Sequence, residues 1–538
     1  MRIAIVGGGP AGLFAATLIK RAKPGHELTV FERNRAEDTF GFGVVFSDAT
    51  LARIHAADPV LLTALTDHGV HWDTIEIRLH GERHRCEGNG MAAVERKQLL
   101  RLLQEQAVTE GVDLRFSTEA QTEDLLAGGY DLVLAADGAN SRLRDRYADA
   151  FEPTVETARA KFIWLGTSYP FDGLTFVHER GEHGVFAVHG YPIGNGLSTF
   201  IVETDEQSWL AAGLDEFDVT QPPGASDEKS LGYLRALFAE RIDGHPLLVN
   251  NSRWGNFHTR RAGSWRHRVG TTAIALLGDA AHTAHFSVGS GTKMAMEDAI
   301  ALADALAELS SQDADSIDAA LAAYEARRRP EVDKIQNAAR PSLSWWEHFG
   351  RTYDTMPGWQ FAYHFFTRSL TDGRLRKRAP GFVDDSHAAW RASYGSQALA
   401  TPLTVGAHQV HDRRIQLRGG EVFAGDTQLP LRTEPTDAGE WALSVSAPPT
   451  EQGLGSALEV VAKGVAAGAV LVVAKDGTPL TRRLVCEAAR LEQRVPSVLV
   501  EEGEDSHYGA DDTAITAILS GRADLVATPG AGAEGAQA

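Results

Sequence analysis

Residues 2–22, RIAIVGGGPAGLFAATLIKRA, leave the chain little choice of local fold. A short apolar run, Ile3 to Val6, reads as a buried strand. Three glycines follow as Gly7-x-Gly9-x-x-Gly12, and a run of good helix formers comes after them. Each glycine has its own job in such a unit. Gly7 permits a tight turn, Gly9 lets backbone approach a pyrophosphate, and Gly12 lets the helix pack closely on the strand. The helix N-terminus then turns its free N–H groups toward the phosphates. A second strand, LTVFERN, carries Glu32 at its end, 20 residues past Gly12. From that position a carboxylate can bond a ribose 2′-hydroxyl. The expectation is a dinucleotide cradle. The chain also holds a counterexample: GAGAEG at 530–535 fits the same pattern, but only three residues follow it, too few for a helix.

Length and charge narrow the remainder. A chain of 538 residues exceeds one simple core, so two or three domains are expected. Lys and Arg number 52 against 72 Asp and Glu, a net charge of −20. The summed field repels phosphates, so neither nucleic acid nor an anionic membrane is an expected partner. The N-terminus runs straight into an apolar strand with no signal-peptide pattern, and no apolar run reaches the roughly 20 residues of a membrane span. A cytoplasmic protein is expected. Cys86 and Cys486, the two cysteines, lie too far apart in sequence for a disulfide framework, a metal-ligand spacing or a CxxxxC redox pair. No metal site is expected.

Two further acids separate FAD from NAD(P). LVLAADGANSRLR places a strand at Leu132 to Ala135, then Asp137-Gly138. TTAIALLGDAAH reads as another buried strand ending at Gly278-Asp279. If the strands before Glu32, Asp137 and Asp279 share one sheet, three acids crowd one nucleotide site. An extended FAD needs that, because its ribose, pyrophosphate and ribityl chain each present groups to bond. Asp279 then accepts from a ribityl hydroxyl, and Gly289-x-Gly291 opens the next helix toward the flavin ring edge. The alternative for Asp279 is an ordinary helix N-cap.

In order and spacing these motifs resemble the single-component flavoprotein aromatic hydroxylases, the p-hydroxybenzoate hydroxylase-like family, over about residues 1–380. The resemblance implies a Rossmann-type cradle for FAD alone, with NADH (or NADPH) bound transiently and O₂ as co-substrate. It places Arg96 of VERKQLLRLLQEQA on the FAD chain, Arg33 beside Glu32, and Val44 in the loop GFGVVFSD along the isoalloxazine. Within the family, Phe286 stands where proline is usual and Lys293 where asparagine is usual. HTAHFSVGSGTKMAMEDA is similar to the subgroup acting on aryl-coenzyme A thioesters, salicylyl-CoA 5-hydroxylases and the monooxygenase half of 2-aminobenzoyl-CoA monooxygenase/reductases. The function this implies is conversion of salicylyl-CoA to gentisyl-CoA through a C4a-hydroperoxyflavin, by an enzyme expected to be a homodimer.

In that chemistry the phenol ortho to the thioester activates the carbon para to itself, and loss of the phenolic proton pushes charge into the ring. A base near the hydroxyl helps, by about 10²–10⁴-fold when well placed. His285, next to Phe286 at the flavin edge, and His189 in AVHGY are the candidates, with Tyr191 a third. CoA phosphates call for a basic patch, and HTRRAGSWRHR (258–268) and RLRKR (374–378) are the dense clusters; each also reads as a solvated charge run. Trp345 and Trp346 read as core.

The expected domains are a monooxygenase over 1–390 and a second domain over 395–530. In the first, FAD-binding segments near 1–75, 90–160 and 265–340 interleave with a substrate-domain β-sheet near 75–90 and 160–265, and helices 340–390 close it. From about Gly395 to Gly439 the chain reads as turn-rich. Four strands and three helices then alternate, from WALSVSA to DLVAT, as a parallel α/β unit. That unit resembles a shortened old yellow enzyme barrel, with FMN binding not expected, and 531–538 reads as a flexible tail. Other readings of the chain are a hydroxylase of 2-aminobenzoyl-CoA or of a free or carrier-bound aromatic, a flavin-dependent reductase of prenyl or polyene double bonds, and a non-catalytic FAD-binding protein.

Overall fold

The computed structural model describes residues 1–39, 41–217, 227–435, 439–501 and 511–529. The GAGAEG motif and the 531–538 tail lie outside the described residues. By its contacts the chain divides into two compact units, 1–79 with 89–347, and 80–88 with 348–538. No helix among the described residues is long and apolar enough to cross a membrane.

The first unit is built on two sheets. In the six-stranded one the order is Arg266–Val269, Thr272–Leu276, Leu132–Ala135, Arg2–Val6, Glu27–Phe31, Asp113–Arg115, all parallel except the first edge strand. The strands that precede Glu32, Asp137 and Asp279 therefore do share a sheet, and their C-terminal ends lie along one edge. Open parallel sheets bind ligands at that edge. The helix Pro10–Ala22 starts with proline at its first turn, where a missing N–H costs nothing, and carries the cations Lys20 and Arg21 in its last turn, where they complement its dipole. Residues 11–19 are buried all round it, because it lies between this sheet and the helix Gly291–Ala307.

The second sheet runs mainly antiparallel through Pro153–Thr167, Leu197–Thr204, Gly184–Gly194 and Leu174–Gly181, which pairs in parallel with Ile75–Leu79; Gly255–Ala262 also pairs with the long first strand. Side chains alternate across a strand, so one face can be core and the other can be something else. Ile163, Leu165, Val177, Val188, Phe200 and Val202 face one way, into a core with Leu231, Leu234 and Phe238. Their neighbours Phe162, Trp164, Phe176, His189 and Ile201 face the other way, into a cavity.

The second unit differs from expectation in two respects. The segment 80–88 and the helices from His348 onward, expected with the monooxygenase portion, group with it. Their apolar residues explain this, since Tyr363 and Trp390 share a core with Trp441, Val472, Val485 and Val526. The four parallel strands Trp441–Ser446, Ala469–Lys475, Ser497–Val500 and Leu525–Pro529 alternate with helices as expected. Residues 403–432, read as turn-rich, instead hold short strands. Three of them, Arg414–Arg418, Glu421–Ala424 and Thr427–Arg432, complete a closed seven-stranded barrel. Closure leaves no free edge to pair with another chain.

The substrate-side sheet yields a first prediction. Phe200, fully buried among Phe171, Phe238 and their neighbours, gives a Phe200→Ala variant a loss of about 3–5 kcal/mol, measured as a lower urea midpoint.

Candidate active site

The glycine turn sits at the sheet edge. Gly7 has φ +111°, and a Cβ there would overlap the Ala136 carbonyl of the neighbouring strand. A Cβ on Gly12 would overlap the Gly7 carbonyl oxygen. Both positions are closed to any side chain, whereas Gly9 has nothing within 4 Å of its Cβ position and lines the cavity. Glu32 is tied to this turn. Its Oε2 accepts from Gly8 N at 2.8 Å and its Oε1 from Asn34 N and Nδ2, both at 2.8 Å.

The Gly278-Asp279 turn is held from behind by Asp298, a fully buried acid on the helix Gly291–Ala307. Its Oδ2 accepts from Gly278 N at 3.2 Å and stands 2.7 Å from His282 Nε2; its Oδ1 accepts from Arg328 Nε at 2.7 Å. Burial pushes the Asp298 carboxyl up, but His282 and Arg328 outweigh it and hold it below the usual range. Lys293, the departure from the usual asparagine, pairs with Glu297 one turn on, 3.1 Å away.

Between these turns and the second sheet lies a cavity of about 550 Å³, within the range of cofactor and ligand sites. Gly9, Val44, Arg96, Asp279, Gly289 and Gly291 line it, together with His189, Tyr191 and Phe286. Asp279 is exposed by area, but the area opens onto this cavity. Burial pushes its carboxyl up, against His282 and Arg96. Burial likewise draws the Arg96 guanidinium down, offset in part by Tyr191 and Asp279. Arg96 Nε and Ser290 Oγ are buried with no hydrogen-bond partner among the described residues. Orphaned donors at the mouth of a glycine cradle fit a polar, phosphate-bearing ligand such as FAD.

The far wall is aromatic. Phe286 packs at 5.0 Å from Phe162, 5.7 Å from Trp164 and 5.5 Å from His189, ring centre to ring centre. Trp346 backs His189 at 4.4 Å. Behind this wall lies a residue the sequence reading missed. Glu203, 1% exposed, sets its carboxylate 2.6 Å from His189 Nε2 and 3.2 Å from His285 Nε2. Burial pushes the Glu203 carboxyl up, and the two imidazoles more than reverse it, leaving it below the usual glutamate range. A signal existed: in TFIVET, Glu203 lies two residues from Ile201, which pairs with His189 across the strands. A period of two puts all three on one face.

Not every expected residue meets the cavity. Gly7, Gly12, Glu32, Arg33, Asp137 and His285 are not among its lining. Gly7 and Gly12 shape the turn from inside, and Arg33 is exposed. Asp137 Oδ2 accepts from Arg142 N at 2.9 Å, so its carboxylate serves the start of the next short helix. His285 stands behind Phe286, its Nδ1 2.7 Å from Ser287 Oγ. Of the 258–268 cluster, Arg260 faces the cavity, while Arg261, Arg266 and Arg268 pair with Glu156, Glu325 and Asp318. The 374–378 cluster lies in the second unit, with Arg376 paired to Asp372 and Asp384.

The Asp298 knot is testable. Asp298→Asn removes one of the three carboxylates on Arg328, which keeps Glu297 and Glu331, and weakens the hold on His282; it is expected to cost about 1–3 kcal/mol at neutral pH. Because the folded pKa is depressed, the carboxylate's stabilisation is fully present above 3.8 and is lost as pH falls through the lower folded value. Urea unfolding of both proteins from pH 3 to 7 should therefore show the gap between them closing only on the acid side.

Comparison with known proteins agrees with this geometry. The FAD binding domain family matches residues 1–339. A salicyloyl-CoA 5-hydroxylase from a Streptomyces species is 55% identical over 98% of this chain and 99% of its own length. A 3-hydroxy-4-methyl-anthranilyl-[aryl-carrier protein] 5-monooxygenase from Streptosporangium sibiricum is 36% identical over 64% of this chain and 89% of its own. Protodeoxyviolaceinate monooxygenase from Chromobacterium violaceum is 31% identical, again over 64% of this chain and 89% of its own. A crystal structure of a 2-methyl-3-hydroxypyridine-5-carboxylic acid oxygenase variant shares the fold, with a TM-score of 0.50 at 22% identity over 70% of this chain and 98% of that one. The glycine turn, the acid-bearing strand ends and these matches together place the chain in the FAD binding domain family, as a flavoprotein monooxygenase.

Proposed function

We propose that this chain hydroxylates an aryl-coenzyme A thioester, converting salicylyl-CoA to gentisyl-CoA with NADH, or NADPH, and O₂. One observation carries the choice of substrate: the 55% identity to a salicyloyl-CoA 5-hydroxylase runs through both units. The aryl-carrier-protein and protodeoxyviolaceinate monooxygenases match over only 64% of this chain. The barrel unit thus goes with the coenzyme A thioester. The alternation of its four parallel strands with helices supports reading it as a shortened old yellow enzyme barrel without FMN chemistry. The homodimeric state belongs to the same reading and rests on the resemblance, and the cytoplasmic one on the sequence pattern of the N-terminus.

In this reading Gly7, Gly9 and Gly12 shape the turn that receives the FAD pyrophosphate, and Glu32 and Arg33 take the adenosine end. Arg96 and Asp279 bond the chain between them. Val44, Gly289 and Gly291 let backbone approach the ring, and Asp137 holds the sheet edge in place through the following helix. When bound and reduced by the nicotinamide, FAD supplies the activated oxygen. Everything else is done by the protein. Phe162, Trp164, Phe257 and Phe286 supply an apolar wall that keeps water from the reacting ring, which strengthens charge interactions beside it. His189 faces the same cavity and takes the phenolic proton, so that charge enters the ring at the carbon para to the oxygen. His285 acts from behind Phe286, through Glu203.

A second reading has a specific support, the 36% identity to a monooxygenase whose substrate is tethered to a carrier protein. One assay separates the two. NADH oxidation and O₂ uptake are followed with salicylyl-CoA, 2-aminobenzoyl-CoA, free salicylate and a carrier-bound salicylate in parallel, with product mass. Fast turnover and gain of one oxygen atom with salicylyl-CoA alone is the expected result. Equal or better turnover of the free or carrier-bound acid overturns the coenzyme A assignment.

A further inference from the structure

We propose that Glu203 is a positioning residue that fixes the tautomers of His189 and His285 and holds the positive charge His189 acquires from the substrate. The inference rests on the aryl-CoA reading above and adds the residue through which the histidines act.

Three observations carry it. First, burying a carboxylate is costly unless it is paired, and Glu203 is buried with an imidazole nitrogen on each oxygen: Oε2 on His189 Nε2, Oε1 on His285 Nε2. Second, the His285 tautomer is legible. Ser287 N donates to His285 Nδ1 at 3.3 Å, which makes Nδ1 an acceptor and leaves the ring hydrogen on Nε2, toward Glu203. At His189 the Glu203 oxygen 2.6 Å from Nε2 calls for a hydrogen there, which leaves Nδ1 as the basic atom. A buried carboxylate that orients a histidine and offsets its positive charge is the logic of hydrolytic triads. Third, of the three residues His189 alone lines the cavity, so the cluster has one end at the substrate. Among the described residues no group of His, Cys, Asp or Glu is arranged to hold a metal ion.

The step balances without a further reagent. The phenolic O–H bond breaks, its electron pair stays on oxygen, and the proton forms an N–H bond at His189 Nδ1. Glu203 faces the new imidazolium. When the ring regains aromaticity, the proton on the hydroxylated carbon leaves to water and the original oxygen recovers its proton from His189.

Among the described residues, Lys161 of the first sheet strand stands next to Phe162 and so on the opposite face, engaged with Asn256 and Glu206. His178 stacks on Trp346. Glu347 accepts from Arg159 N. His258, drawn down by burial and by Arg260, Arg96, Asp279 and Tyr191 belong to the cavity walls.

Glu203→Gln is the test, in FAD-loaded protein. Its kcat with salicylyl-CoA should fall about 100-fold, with KM and FAD content within threefold of the parent. The absorbance of bound phenolate should appear at least one pH unit higher than in the parent, and Glu203→Asp should recover at least tenfold of the lost rate. A kcat within threefold of the parent, or a loss without the phenolate shift, overturns the proposal. Should the variant fail to load FAD, ¹⁵N-imidazole NMR of the unaltered holoenzyme decides: hydrogens on Nε2 of His189 and His285 are expected, and the opposite tautomer at His189 overturns it. Absence of turnover in the parent itself would strike the aryl-CoA reading, while the tautomers would still report on the cluster.

Discussion

A single buried carboxylate, Asp298, holds the site in shape. It receives the backbone N–H of Gly278, stands against His282, and is itself neutralised by Arg328. The turn that presents Asp279 would otherwise be a loop of small residues with little to fix it. Asp298 lies in the helix that packs on the glycine-turn helix, so it adds to the shared sheet in tying together the two halves of the cradle, some 270 residues apart in sequence. Arg96 and Asp279 can then face the same cavity with their charges only partly met, a state that a bound anionic and hydroxyl-bearing ligand relieves.

The second organising device is the two-residue period of the antiparallel sheet. One face of each strand is spent on packing and the other on chemistry. Val188 and His189, or Val202 and Glu203, are chain neighbours with unrelated jobs. The aromatic wall and the His–Glu–His contact thus come from strands whose other face is an ordinary core.

Much of this was legible in the sequence. The glycine spacing, the strand Leu132–Ala135 and the acids at three strand ends follow from local rules, because cradle chemistry needs particular residues at fixed offsets. Glu203 was not seen, since nothing local marks it; its meaning arises only from strand pairing with His189. Asp137 shows the complement: its motif is clear in the sequence, but that its Oδ2 accepts from Arg142 N is visible only in the fold. The barrel's first three strands were passed over because they are short and rich in charge. Yet Gly419-Gly420 and Gly425-Asp426 are two-residue hairpin turns, a signal that outweighs weak strand propensity. The boundary near Gly395 was misplaced for a packing reason: the helices before it carry Tyr363 and Trp390 into the core around the barrel.

The strand order of the six-stranded sheet also dictates when the site can exist. Its strand Arg2–Val6 precedes the sheet's other strands in sequence, yet the strand that brings Asp279 is Thr272–Leu276, two places away. At ribosomal rates of roughly 5–20 residues per second, the glycine turn waits about 15–50 s before its sheet is complete. During that interval a nascent chain exposes an apolar parallel strand with no neighbour on one side. Cofactor capture is thereby deferred to a nearly finished first unit.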